Sequence, residues 1–387
     1  MKAFIVDISG KVILYDMALC EAISQEKGQK VDIEYFAPLY KEKPCCKTTR
    51  LLNLVPLKYK NGEYLWKRAV KLIELVFNYI ILLFRVAWSK PDVIHFQWFP
   101  LLEVCSGEHL AVKVMRMLSK RMKMVLTIHN VYPHTFSEDK KAQYAERFQK
   151  IKKQMDAFIV HTEETRKEVV NDFGIENERV NVVHHGIFAP NNYIPKENKV
   201  RGNELNFIMY GNLTDYKGVD IFVDAISKLP EAYKKKVRGV IAGEMQNKEL
   251  CNKLQEDSKA LNIEWYPYFL PEQELNERID DANVIVLPYK QISQSGVLLL
   301  ALYFRRFIIT SDLPTFKETL HGFTDDMFFE SENSDSLTKL MMKYVDGKID
   351  TEKQMKIIEH LNEQYSWSLA AEKTVVAYKK LVGEMIK

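Results

Sequence analysis

Short apolar runs separated by longer amphipathic stretches set the rhythm of this chain. The runs AFIVDI (3–8), VIHFQ (93–97), MVLTIH (124–129) and AFIVHT (157–162) are too short for helices, and helix-length patterns flank each of them. Such runs, apolar at consecutive positions, predict parallel strands covered by helices on both faces. The alternation restarts at NFIMYG (206–211) and continues through VRGVIAG (237–243), VIVLPY (284–289) and FIIT (307–310). Between the halves, IFAPNNYIPKENKVRGNE (187–204) is rich in Pro, Asn, Gly and charge and has no apolar period, which marks a linker. The pattern therefore predicts an α/β protein with two doubly wound domains, 1–188 and 189–365. Ligands of such sheets bind at the C-terminal ends of the strands, here in a crevice between the two domains. The closing stretch SWSLAAEKTVVAYKKLVGEMIK (366–387) predicts an amphipathic helix opened by Ser366 or Ser368, either finishing the second domain or crossing back onto the first.

Length and composition agree with two domains. The chain has 387 residues, beyond the ~250–300 at which a single core stops growing. With 47% hydrophobic and 28% charged residues, it is neither a disordered chain nor a small disulfide scaffold. The net charge of +3 hides an asymmetry. Residues 1–160 carry 26 Lys+Arg against 16 Asp+Glu, and the remainder carries 29 against 36. The five cysteines show no CxxC pair or zinc spacing and predict reduced thiols in the cytoplasm. MKAFIVDISGKV lacks the apolar core of a signal peptide and reads as a first buried strand.

Two segments predict phosphate binding. In NFIMYGNLTDYKGVDIFVDAI a strand ends at Tyr210, a glycine-containing turn follows, and a helix begins near Lys217 and Gly218. A helix mouth presents free N–H groups and partial positive charge, and Lys217 adds a full charge; the alternative is an ordinary turn with a solvated lysine. In LPYKQISQSGVLLLALYFRR a second mouth opens at Ser293, Gln294, Ser295 and Gly296, small residues that let backbone N–H groups approach an anion, unless a serine simply caps the helix. Two mouths in one domain point to a nucleoside diphosphate. Neither is a Walker loop or a G-x-G-x-x-G turn.

These elements, taken with TIHNVYPH (127–134), VVHHGI (182–187), DANVIVLPY (281–289), the SDLP turn (311–314) and YSW (365–367), resemble a GT-B-fold glycosyltransferase, most similar to glycosyltransferase family 4. The resemblance implies two Rossmann-like domains facing each other across a cleft. It implies a nucleoside-diphosphate sugar bound mainly by the second domain and an acceptor bound mainly by the first. Lys217 matches the lysine on the donor phosphates, and His129 a strand-end histidine facing the donor sugar; these two are the catalytic candidates. Gly211, Asn212, Gly218, Glu244, Ser293, Ser295 and Gly296 complete the donor side. Ser9, Gly10, His95 and His134 are the acceptor-side candidates. Asn212 stands where the family has an arginine. Ile292 or Ser293, and Leu300, stand where it has two glutamates. No DxD-like pair lies at a strand end, and no metal or other cofactor is expected.

Residues 65–88 form a long apolar helix candidate interrupted by Lys71, Glu74 and Arg85, which predicts core burial or a membrane-surface face rather than a span. Lys58, Lys60, Lys67 and Arg68 flank it, and Lys113, Arg116, Lys120, Arg121 and Lys123 form a second basic group. Together they predict peripheral contact with anionic membrane on the inner face of the cell membrane. No aromatic-interleaved basic motif is present, so nucleic acid is not expected. The functional expectation is sugar transfer to a lipid-linked or glycan acceptor in cell-surface polysaccharide biosynthesis. The rivals are a sugar-nucleotide epimerase or hydrolase on the same fold, and a non-catalytic partner-binding subunit with a degenerate donor site.

Overall fold

A computed structural model describes residues 1–26, 31–38, 44, 46–54, 65–133, 136–190, 193–198, 204–292 and 295–383. His134, Ser293, Gln294, Cys45, Lys58, Lys60 and parts of the linker named above lie outside the described residues. The chain divides into two compact units, Met1–His185 with Trp367–Lys387, and Gly186–Ser366.

The first unit opens with β1 (Lys2–Asp7), α1 (Ile13–Gln25), β2 (Asp32–Ala37), β3 (Lys47–Arg50) and α2 (Leu65–Ser89). It continues with β4 (Val93–Trp98), α3 (Glu108–Leu118), β5 (Lys123–Thr127), α4 (Glu138–Lys152), β6 (Ala157–Val160), α5 (Glu163–Phe173) and β7 (Val180–Val182). The second contains β8 (Leu205–Tyr210), α6 (Val219–Ser227), α7 (Glu231–Lys234), β9 (Val237–Ala242), α8 (Lys248–Asp257), β10 (Ile263–Tyr266) and α9 (Glu272–Asp281). Then follow β11 (Val284–Leu287), α10 (Gly296–Phe304), β12 (Phe307–Ser311), α11 (Pro314–Thr319), β13 (Phe328–Phe329), α12 (Ser334–Val345) and α13 (Thr351–Gln364). The last helix, α14 (Trp367–Val382), returns to the first unit, where Ala371 and Val375 share a core cluster with Leu19 and Ile23 of α1.

Both sheets are parallel. Their orders are β3-β2-β1-β4-β5-β6-β7 and β10-β9-β8-β11-β12-β13. Each begins as a 3-2-1-4-5-6 winding, so chain direction across the sheet reverses between β1 and β4 and again between β8 and β11. The central strands are buried on both faces, as their unbroken apolar runs require: Phe4, Ile5, Val6, Ile94, Ile208, Met209 and Ile285 are all at 0% exposure. Register pairs Ile5 with His95 and Ile285 with Ile208, which sets the loops after paired strands side by side.

The helix predicted at 65–88 is α2, and its charged interruptions turn inward. Glu74, 1% exposed, accepts from the Leu54 N–H at 2.8 Å and pairs with Lys71. Arg85 forks onto the buried Glu34, with 2.7 Å from Nη2 to Oε2. No described helix is long and apolar enough to cross a membrane.

Candidate functional site

In the second unit the loops after β8 and β11 meet at the reversal of strand order. Lys290 N–H donates to the Tyr216 carbonyl at 2.7 Å, and its ammonium pairs with Asp220 at 2.8 Å. Two glycines permit close approach, one between these two loops and one between the loops after β8 and β9. Gly218 has φ +73°, and a Cβ there would lie 2.0 Å from the Pro288 carbonyl oxygen. Gly243 has φ +144°, and a Cβ there would lie 1.8 Å from the Gly211 carbonyl oxygen. Any larger residue would drive these loops apart.

Lys217 sits at the centre of the corner. It is 7% exposed, and its Nζ lies 5.1 Å from the centroid of the Tyr289 ring. The same Nζ is 3.5 Å from where a Cβ would project at Gly211. No carboxylate or hydrogen-bond acceptor partners it among the described residues. Burial pulls its pKa down to about 8, because water is withdrawn and nothing anionic replaces it. The Tyr289 hydroxyl is likewise buried without a well-formed hydrogen bond among the described residues.

Helix α10 starts against the same corner. Ser295 is its N-cap, accepting from the Leu298 N–H at 3.0 Å, so that hydroxyl is already employed in capping. The Tyr210 hydroxyl fixes the first turn by donating to the Val297 carbonyl at 2.9 Å. Gly296 is exposed, and Val297 approaches the projected Gly211 side chain to 3.1 Å. A buried cation without a partner among the described residues, the open Gly296 and a helix mouth meet in one corner, an arrangement chemically suited to an anion. Asn212 and Glu244 are exposed beside it. Asn212 accepts from Gln246 at 3.4 Å, and the Glu244 carbonyl accepts from the Leu213 N–H at 2.9 Å. Helix α8 is capped by Asn247, not by Glu244.

The first unit gathers histidines at the C-terminal ends of β5 and β6. His161 Nδ1 lies 2.9 Å from the Val183 carbonyl, which only accepts, so Nδ1 carries the proton. The unprotonated Nε2 of His161 then accepts from His129 Nδ1 at 3.1 Å. His129 Nε2 lies 3.3 Å from the Gln97 side-chain oxygen; with the His129 proton on Nδ1 that amide is assigned the other way round, so that its NH2 donates to Nε2. In this state His129 Nε2 only accepts, and a ligand hydroxyl would reach its lone pair by replacing Gln97. Burial and the neighbouring histidines hold the His129 pKa well below its usual range, and burial lowers His161 to about 3. Tyr15 stacks edge-on against His129 at 4.8 Å and His161 at 5.3 Å, and also packs on His185 and Trp367.

His95, expected on the acceptor side, lies in the core of the first unit. It is fully buried, with Nδ1 at 2.6 Å from the Tyr378 hydroxyl and Nε2 at 2.7 Å from Thr127 Oγ1, and so bolts α14 to the sheet. Ser9 and Gly10 form the turn after β1, where Asp7 accepts from the Ser9 N–H and hydroxyl, the Gly10 N–H and the Val12 N–H. Sequence reasoning overlooked Tyr289, Tyr15 and His161. A signal for His161 was present: LTIH and FIVH are neighbouring apolar strands that each end in histidine. Among the described residues no cluster of three or more His, Cys, Asp or Glu is arranged to hold a metal.

We expect histidine NMR signals to reflect this wiring. His95, His129 and His161 should remain neutral from pH 8 down to 5.5, with His129 Nε2 showing the pyridine-type nitrogen shift. A His129 midpoint between pH 6 and 7 would contradict the buried arrangement.

Comparison with known proteins places this geometry. Residues 18–188 match the sequence family described as Glycosyltransferase Family 4, and residues 191–363 match Glycosyl transferases group 1. No curated protein matches the sequence. Among solved structures, a glycosyltransferase from Rickettsia africae is similar with a TM-score of 0.69 at 14% identity, covering 99% of each chain. Sucrose-phosphate synthase from Thermosynechococcus elongatus gives 0.68 at 15%, also covering 99% of each chain. Anabaena HepE in complex with UDP and glucose gives 0.66 at 13%, covering 98% of this chain and 100% of that one. Two Rossmann-like units, each matched by a glycosyltransferase family, define the chain as a glycosyltransferase of the GT-B fold. Within that class it resembles glycosyltransferase family 4.

Proposed function

We propose that the protein transfers a hexose from a nucleoside-diphosphate sugar to a lipid-linked or glycan acceptor in the assembly of a cell-surface polysaccharide, peripheral to the inner face of the cell membrane. The observation that carries the donor assignment is Lys217, a buried ammonium without an anionic partner among the described residues, set between Gly211 and Tyr289 beside the mouth of α10. A protein keeps such a group when a ligand supplies the missing charge. The diphosphate would accept from Lys217 and the first N–H groups of α10, and the charge developing on the leaving diphosphate would be stabilised by groups already in place. Fixed positive charge of this kind makes a metal unnecessary, so activity is expected to survive chelator treatment. His129, neutral, would accept from a hydroxyl of the sugar at Nε2 in place of Gln97.

A panel of nucleoside diphosphates and their sugars, screened by thermal shift and calorimetry, tests the reading; binding of none of them would overturn it. Incubation with the best donor alone separates transfer from epimerisation or hydrolysis, which need no acceptor.

The lowered Lys217 pKa adds a signed prediction. Only the charged ammonium should hold the diphosphate, so affinity is expected to be flat below about pH 8 and to fall towards tenfold per pH unit above it. Calorimetry with the nucleoside diphosphate from pH 6.5 to 9.5 measures this, and an affinity independent of pH throughout would place the phosphates elsewhere.

A further inference from the structure

Helix α2 is apolar on two opposite sides. Leu75, Tyr79, Leu82 and Val86 point into the core of the first unit. Ile73, Phe77, Ile80, Phe84 and Trp88, spaced four, three, four and four residues apart, run along the other side and are exposed, Phe84 at 73% and Trp88 at 87%. That spacing forms one continuous stripe. Helix α3 packs beside α2 and extends the surface with Leu110, Val114 and Met117, all exposed. Isolated exposed apolar side chains are ordinary, but a stripe shared by two neighbouring helices is not.

The charge on these helices is one-signed. The single acid of α2, Glu74, and the single acid of α3, Glu108, are both buried. Glu108 accepts from the Tyr79 hydroxyl at 2.6 Å and from the Leu101 N–H at 2.9 Å. Neither helix therefore presents a carboxylate to solvent. Lys113 is exposed on α3, one step from the apolar stripe. Lys90 follows α2, and Lys120 and Arg121 follow α3; all three are exposed. They gather at one edge, because β4 and β5 start side by side with Val93 opposite Lys123.

We propose that the α2–α3 face is a docking surface for an anionic lipid bilayer, into whose interface the stripe inserts while Lys90, Lys113, Lys120 and Arg121 meet the headgroups. The apolar stripe supplies area and the cations supply selectivity for acidic lipid. Tryptophan and phenylalanine suit the headgroup boundary, where Trp88 and Phe84 would lie. A second copy of the chain fits poorly, since neither helix presents a carboxylate among the described residues and Asp92, the exposed acid beside Lys90, already accepts from the Lys2 N–H, so the cations find little to pair with when the face meets itself. This surface deepens the membrane part of the proposed function but does not depend on sugar transfer.

The test uses the full chain, without donor or acceptor. Co-sedimentation compares phosphatidylcholine vesicles with vesicles containing one-third phosphatidylglycerol, at low and high salt. The wild-type protein should pellet with the anionic vesicles and be released by salt. Phe84→Glu/Trp88→Glu should abolish binding, and Lys113→Gln/Lys120→Gln/Arg121→Gln should weaken it roughly 100-fold, at about one kcal/mol for each charge. All these side chains are exposed, and circular dichroism melts matching the wild type confirm that the fold survives. Absence of binding to anionic vesicles would overturn the proposal. So would equal binding to both vesicle types that the aromatic variant retains. A concentration-dependent dimer in gel filtration, lost in Phe84→Glu/Trp88→Glu, would assign the face to a second copy instead.

Discussion

Lys217→Ala is expected to lower the transfer rate by about 10²–10³-fold, the usual loss when one preorganised charge-stabilising group is removed from a developing anion. The expectation rests on count as well as position. Where the resemblance leads one to expect an arginine, the β8 loop has Asn212, exposed and bonded to Gln246. Lys217 is then the cation beside Gly211 and Tyr289, while Lys290 in the same corner is already paired with Asp220. Arginine is a poor substitute, since its planar fork does not fit a site built around a point charge beside the Tyr289 ring.

A stability measurement separates this role from a structural one. The folded pKa of Lys217 is lowered from 10.5 to about 8, so burial costs the charged form on the order of 3 kcal/mol below pH 8, less whatever local relaxation recovers. Between about 8 and 10.5 the unfolded chain holds a proton that the folded chain has lost, so that cost is relieved as pH rises through the window. Lys217→Met, which removes the charge and keeps the length, should therefore raise the melting temperature at pH 7 while it abolishes donor binding. A variant that melts earlier and still transfers sugar at the full rate would make Lys217 a packing residue.

The strands that carry the site were legible because burial on both faces writes an unbroken apolar run, as in VIVLPY before the β11 loop. The edges were not. β3 is KTTR, β13 is two residues long and β10 is half-exposed throughout, so none has the apolar signature of a central strand. β2, DIEYFA, was overlooked although it is buried, because Asp32 and Glu34 break its run; Glu34 is neutralised by Arg85 and Lys47 from distant parts of the chain. The same reason explains α2. Lys71, Glu74 and Arg85 looked like interruptions of an apolar helix, yet they face inward and leave the solvent side uninterrupted. Lys217 and the mouth of α10 could be found from glycine and hydroxyl spacing, but not the burial of the lysine, which depends on Tyr289 more than seventy residues later. Leu300, half-buried at the margin of the second core, offers no carboxylate, so a ribose bound at this corner would be held by other groups.

The linker holds the largest stability effect. Its sequence, without apolar period, marks a linker, and Tyr193 and Lys196 within it are fastened to the second unit by a buried ion pair. Arg306 and Asp280 are both fully buried, with Nη2 to Oδ1 at 2.6 Å. Asp280 also accepts from the Tyr193 hydroxyl at 2.7 Å and from the Lys196 N–H at 3.2 Å. Arg306 donates to the carbonyls of Ile279, Asp280 and Lys196. Asp280→Ala should cost about 3–5 kcal/mol, because the guanidinium left behind stays buried without its counter-charge. Arg306→Met should cost a similar amount, stranding the carboxylate. The double variant Asp280→Ala/Arg306→Met should cost clearly less than the sum, since neither charge then remains, though not zero, because three carbonyls lose their donor. Urea unfolding of the four proteins gives the cycle. Strict additivity would show that the two residues act independently and that the linker is held by its hydrogen bonds alone.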